Sequence, residues 1–236
     1  VAEAKAELAQ EAAEKAAGEQ AQHAASTARV AALSAYEKFL VSLGAPYKQT
    51  YTRELTEAVR DGRPVEYLYG MVLPPDEKVA EFQGMLNRDF GVVDLASLQT
   101  VYAAMLMTEI DPDEPVGDKA ALALSIGHAS YLAGMAAAVG LVAPTQAMSM
   151  TVPMVKQALA RFDSWADFGQ HFVQGEKDAP GSNALGSGFI RRSVESLLKE
   201  SASPWAQLPW PVSPTDRDEL FASRPGSHAA TEAQAD

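Results

Sequence analysis

An all-α fold is the class this chain predicts, on three observations. Ala, Glu, Gln and Lys, all strong helix formers, crowd residues 2 to 25. From Ser26 onward, large apolar side chains recur three and four residues apart, the spacing of a single helix face. Between Lys119 and Lys156 there is no Asp, Glu, Lys or Arg, which is the composition of a helix buried all round.

Each element follows from its own residues. Residues 2 to 25 hold Leu8 as their only large apolar side chain, too little for a docking stripe. Residues 1–25 are therefore expected as a solvated helical extension, with a partner-binding helix as the alternative. The packed domain is expected over 26–211. Val30, Leu33, Tyr36, Phe39, Leu40 and Leu43 open it at helical spacing, with Gly44 and Pro46 as the stop. A helix is expected from Thr50 to Asp61, where Tyr51, Leu55 and Val59 lie four apart. Pro64–Leu73 is short, apolar and bounded by prolines; it is read as a helical turn rather than a strand because its flanks are helical.

After Pro74 and Pro75, one face collects Val79, Phe82, Met85 and Leu86, with Asp76 and Glu77 suiting the positive end of the helix dipole and Arg88 the negative end. Asp94 caps a helix to about Met107 that carries Leu95, Leu98, Val101, Tyr102 and Leu106. The acidic, proline-broken Glu109–Asp118 is a loop. The central buried helix is placed at about 118–139. Its large-residue face holds Leu124, Tyr131, Leu132, Met135 and Val139; its small-residue face, open to a close neighbour, holds Gly127, Ser130, Gly134 and Ala138. Pro144 or Thr145 opens the next helix, which Pro153 splits. Asp163 or Ser164 caps another, with Gly175 as its end. A glycine-rich loop leads to a last helix bearing Leu185, Phe189, Ile190, Val194, Leu197 and Leu198. Residues 212–236 are polar and small and read as a disordered tail.

Composition excludes several function classes. The chain has no cysteine, hence no disulfide, thiolate catalysis or Cys-based zinc site. A net charge of -12, with no basic cluster larger than Arg191-Arg192, argues against a nucleic-acid partner. Ala120–Ala143 exceeds the roughly 20 residues that span a bilayer. Its Ala, Gly and Ser content and acidic upstream flank favour a buried helix over stable membrane insertion. The opening VAEAKAELAQ lacks the basic start and apolar run of a secretory signal, so a cytoplasmic location is expected.

Candidate sites each have a structural counter-reading. His128 falls mid-way along the large-residue face and is either a general base or a core histidine held neutral by burial. The core reading is preferred, since its helix carries no second titratable group. Asp167 and His171, four apart, match a metal pair or a base with its orienter. Trp165, Phe168 and Phe172 take the opposite face, so a solvated polar face is preferred and neither metal nor cofactor is expected. Trp205 and Trp210 in SPWAQLPWP, held extended by prolines, form either a closing strap or an exposed anchor for a partner protein. The Gly181–Gly188 loop lacks the Gly-Lys-Ser/Thr ending of a phosphate loop, and Glu109, Asp111, Asp113 and Glu114 miss the calcium-loop spacing.

Four segments carry a family likeness: RDFGVVDLASLQTVYAAML from Arg88, VGLVAPTQAM from Val139, FDSWADFGQHFVQGE from Phe162 and SPWAQLPW from Ser203. Over about residues 87–211 the chain resembles the bacterial family known as domain of unknown function 1266. That family tends to carry Trp-Asp-x-x-Arg on the helix before the VGLVAP turn. Here the region reads LSIGHASYLAGMAAAVG, with neither acid nor arginine, so the resemblance implies no catalytic residues. The leading functional expectation is a non-catalytic protein-interaction or regulatory module. The alternative is a small-molecule hydrolase built around His128 with acids from other helices.

Overall fold

The structure is a computed structural model that describes residues 2–51, 79–106, 119–201 and 203–225. The Pro64–Leu73 segment, the acidic Glu109–Asp118 loop and all of the Thr50–Asp61 helix beyond Tyr51 lie outside these residues. Among the described residues every regular element is helical, so the fold is all-α. The helices are α1 (Ala2–Ala32), α2 (Ala35–Leu43), α3 (Ala45–Tyr51), α4 (Val79–Phe90), α5 (Leu95–Leu106), α6 (Lys119–Ala138), α7 (Pro144–Met150), α8 (Val152–Arg161), α9 (Trp165–Asp178), α10 (Ala184–Lys199), α11 (Pro204–Gln207) and α12 (Pro214–Ala222).

α6 is the axis. Helices α2, α3, α4, α5, α7, α8 and α9 all pack on it, and most of its side chains are buried. It is the one described helix long and apolar enough to cross a membrane, and this body of helices surrounds it. Two glycine contacts set how α9 crosses it. A Cβ on Gly127 would sit 2.1 Å from Phe172 Cε2, and one on Gly175 would sit 2.2 Å from the Ala120 carbonyl oxygen. Gly175 thus serves close approach instead of ending α9, which continues to Asp178. α6 itself stops at Gly140 (φ 76°): the Gly140 amide donates to the Ala137 carbonyl and the Leu141 amide to that of Ala136, the paired closure of a left-handed C-terminus.

Helix starts follow local side-chain chemistry. Ser34 and Glu37 form a reciprocal capping box at α2, so the break falls at residues 33–34 and α1 runs through Ser26 uninterrupted. Asp94 Oδ1 accepts the Ser97 amide at α5, Ser164 caps α9 and Asn183 caps α10. The described side chains of α1 are exposed, Leu8 by 65%.

The chain end departs from expectation. Of the tail expected over 212–236, residues 226–236 lie outside the described residues; before them, a capping box of Ser213 and Asp216 with Pro214 at the first helical position starts α12. Leu220 is buried, Phe221 lies 5.9 Å from the Tyr36 ring, and the Tyr36 amide donates to Ser223 Oγ. On α10 the buried positions are Ile190, Ser193, Val194 and Leu197, whereas Leu185, Phe189 and Leu198 are exposed.

Candidate functional site

A cavity of about 400 Å³ opens beside α6, lined by Tyr47 of α3, Met85, Asp89 and Phe90 of α4, Met105 of α5, and His128 and Tyr131 of α6. Its position follows from the two faces of α6. Ala123, Gly127, Ser130 and Gly134 are buried, while Leu124, His128 and Met135 keep partial exposure. The large-residue face is thus buried at Tyr131, Leu132 and Val139 but opens in part at Leu124, His128 and Met135. Large side chains hold neighbouring helices apart; small ones draw them in.

The cavity wall is held from behind. The corner between α2 and α3 lies on α6 because Gly44 has no side chain; a Cβ there would be 2.9 Å from Ser130 Oγ and 3.0 Å from the Tyr131 amide nitrogen. Ser130 Oγ donates to the Leu40 carbonyl at 2.5 Å and fixes this contact. Tyr47 then stacks on His128, with ring centroids 4.4 Å apart and planes 17° apart. The Tyr47 hydroxyl donates to Glu176 Oε2 at 2.9 Å, and Phe172 meets the same ring edge-on at 5.1 Å. Residues of the FDSWADFGQHFVQGE block thus brace this wall without lining the cavity.

Four rings close a circuit. Besides the Tyr47–His128 stack, Phe90 lies 6.1 Å from His128 and 6.2 Å from Tyr131, and Tyr131 lies 6.1 Å from Tyr47. Burial lowers the His128 pKa to about 4, so the imidazole is neutral near pH 7. Among the described residues none hydrogen-bonds to its ring. Asp89 presents the one carboxylate among the described lining residues, and Arg88 takes both its oxygens at 2.6 and 2.9 Å. Those hydrogen bonds hold Asp89 below the usual carboxylate range, hence ionised.

Asp167 and His171 are brought together, with Nδ1 of His171 3.1 Å from Oδ1 of Asp167. Lys119, which the sequence reading did not single out, joins them from α6 through a 2.7 Å ion pair to Asp167 Oδ2. Its ammonium also lies 5.0 Å from the centre of the Phe162 ring. Burial pushes the Asp167 carboxyl upward, but the Lys119 hydrogen bond and the Asp163 amide outweigh it and leave the group below the usual range. This set ties the start of α6 to the first turns of α9. Among the described residues no three His, Asp or Glu side chains form a metal-holding group.

Trp205 and Trp210 turn inward, 5% and 7% exposed. Trp205 stacks on Trp165 at 5.2 Å and donates its indole N–H to the Ser42 carbonyl, while Trp165 donates to the Leu208 carbonyl. Trp210 meets Trp165 edge-on at 4.7 Å. An anchoring role would need exposed indoles, and the strap hides them. SPWAQLPWP is not wholly extended, since Ser203 caps the helical turn of α11.

The fold and cavity define an all-α domain with an aromatic-walled hollow beside its central helix. The family described as protein of unknown function (DUF1266) matches residues 2–210, and the chain belongs to it. The match takes in α1 and so reaches well beyond residues 87–211. No curated protein and no solved structure matches the chain.

Proposed function

We propose that this protein is a non-catalytic binding module, and that its working surface is the cavity beside His128. The observation that supports this reading is the stacking of His128 on Tyr47 within a four-ring wall. A general base must reach the proton it removes and be held by an orienting partner. His128 instead serves as a piece of wall, and the only carboxylate among the described lining residues is engaged by Arg88. At about 400 Å³ the cavity falls within the range of small-ligand sites, roughly 300–1,000 Å³.

The test is a thermal-shift screen of small molecules against the wild type and a cavity-filling variant, Met85→Trp. Ligands should raise the melting temperature of the first and leave the second unmoved. An ester or amide hydrolysis activity that disappears in His128→Gln would overturn the reading in favour of the hydrolase.

The exposed α1 supports a second element of the same proposal, attachment to another protein in the cytoplasm. A 31-residue helix with its described side chains in solvent has little of its own to pack against. Affinity capture with the full chain, compared with a form lacking residues 2–25, should recover a partner that the shortened form loses. Equal recovery by both forms would count against it.

A further inference from the structure

The wall chemistry of the cavity points to one class of ligand. Aromatic faces are electron-rich and attract cations, and thioether sulfur is polarizable. Tyr47, Phe90, Tyr131, Met85 and Met105 supply both kinds of surface, and Asp89 adds the one formal charge among the described lining residues, which is negative. No Lys or Arg is among the described lining residues, so those residues offer an anion no counter-charge. Arg88 already takes one hydrogen bond on each Asp89 oxygen, so fewer acceptor positions are left for a second donor. An ammonium that must donate hydrogen bonds would enter at the cost of losing its water. A fully alkylated ammonium has no N–H to satisfy and needs only diffuse negative potential.

We propose that the cavity binds a small molecule carrying a quaternary ammonium group, seated against Tyr47, Phe90 and Tyr131 with the Asp89 carboxylate as its counter-charge. This rests on the binding-module reading above. Tyr47, Phe90 and Tyr131 all border the same cavity, so more than one aromatic ring is within reach of one guest. The neutral His128 adds a wall without a repelling charge. The net charge of -12 favours the approach of cations over anions.

Isothermal titration of the full chain with choline and with 3,3-dimethylbutan-1-ol, its uncharged carbon counterpart, tests the proposal. Choline should bind at least about tenfold more tightly than the alcohol, the difference a desolvated cation–π site supplies. Tyr131→Leu should abolish the preference, with circular dichroism confirming its fold. Two exposed changes keep the test independent of folding: Asp89→Asn should weaken choline by about threefold to fivefold, and Arg88→Gln should strengthen it by a similar factor. Equal binding of choline and the alcohol leaves the binding module standing and overturns the cation. Failure of both, together with failure of the ligand screen, overturns the two readings together. Capture by phosphatidylcholine vesicles or a trimethyllysine peptide without binding of free choline overturns the small-molecule assignment.

Discussion

The molecule holds two aromatic clusters, and they are built to opposite ends. Around Trp165, Trp205 and Trp210 the rings fill their space: Trp165 and Trp205 donate to backbone carbonyls, and a Cβ on Gly169 would meet Val194 and Trp205 at 2.8 and 2.9 Å. Tyr47, Phe90, His128 and Tyr131 instead line, with Met85, Asp89 and Met105, a cavity of about 400 Å³ that holds a titratable side chain in its wall. Aromatic content alone does not separate core from site. The difference lies in whether small residues let the rings close up, as Gly169 does, or large ones hold the helices apart, as His128 and Tyr131 do.

Four measurements break or sharpen this contrast. The largest effect belongs to the closed cluster. Trp205→Ala removes a stacked ring and the tie to Ser42, and should cost about 3–5 kcal/mol in urea or thermal unfolding. A loss below about 1 kcal/mol would show that the strap is not part of the core.

Next is the buried imidazole. Its pKa falls from 6.5 to about 4 on folding, so the unfolded chain binds the extra proton between those values. Stability from this group is present above pH 6.5, declines as pH falls and levels off near pH 4, for up to about 3 kcal/mol in total. Asp89 lines the same cavity and carboxylates elsewhere titrate nearby, so the comparison is with His128→Phe. That variant should lose this part of the pH dependence; an unchanged profile would place His128 in water.

Gly175→Ala comes third. Its methyl group would strike the Ala120 backbone carbonyl, which cannot swing aside, and about 2 kcal/mol should be lost on denaturation. The smallest effect falls on the open cluster. Tyr47→Phe deletes the hydroxyl and its hydrogen bond to Glu176, costing about 1 kcal/mol, yet should loosen ligand binding by freeing the ring. Unaltered affinity would mean that its ring contacts with His128, Phe172 and Tyr131 fix Tyr47 without the hydroxyl.

Much of the fold was legible because it rests on local signals. The charge-free run gave α6, and Asp94 and Ser164 gave their helix starts. α12 was also written locally, as Pro214 with Ser213 and Asp216, but polar composition masked it. On α10, Leu185 and Phe189 misled because being apolar does not fix a side: the buried row is Ile190, Val194 and Leu197. The cavity was legible in one residue only, His128. Tyr47, Asp89 and Phe90 arrive on α3 and α4, distant in sequence, and no motif spacing connects them. Lys119 escaped notice for the same reason, since its partner Asp167 is 48 residues away.

All three tryptophans of the chain belong to the closed cluster, and none lines the cavity. Intrinsic indole fluorescence therefore reads out detachment of the strap and stays silent about events near His128. Conversely, a lone tryptophan installed at Phe90 over a tryptophan-free background would light the other side. The protein comes with a built-in optical gauge for one half of its interior, and the dark half is where a guest would have to be sought by other means.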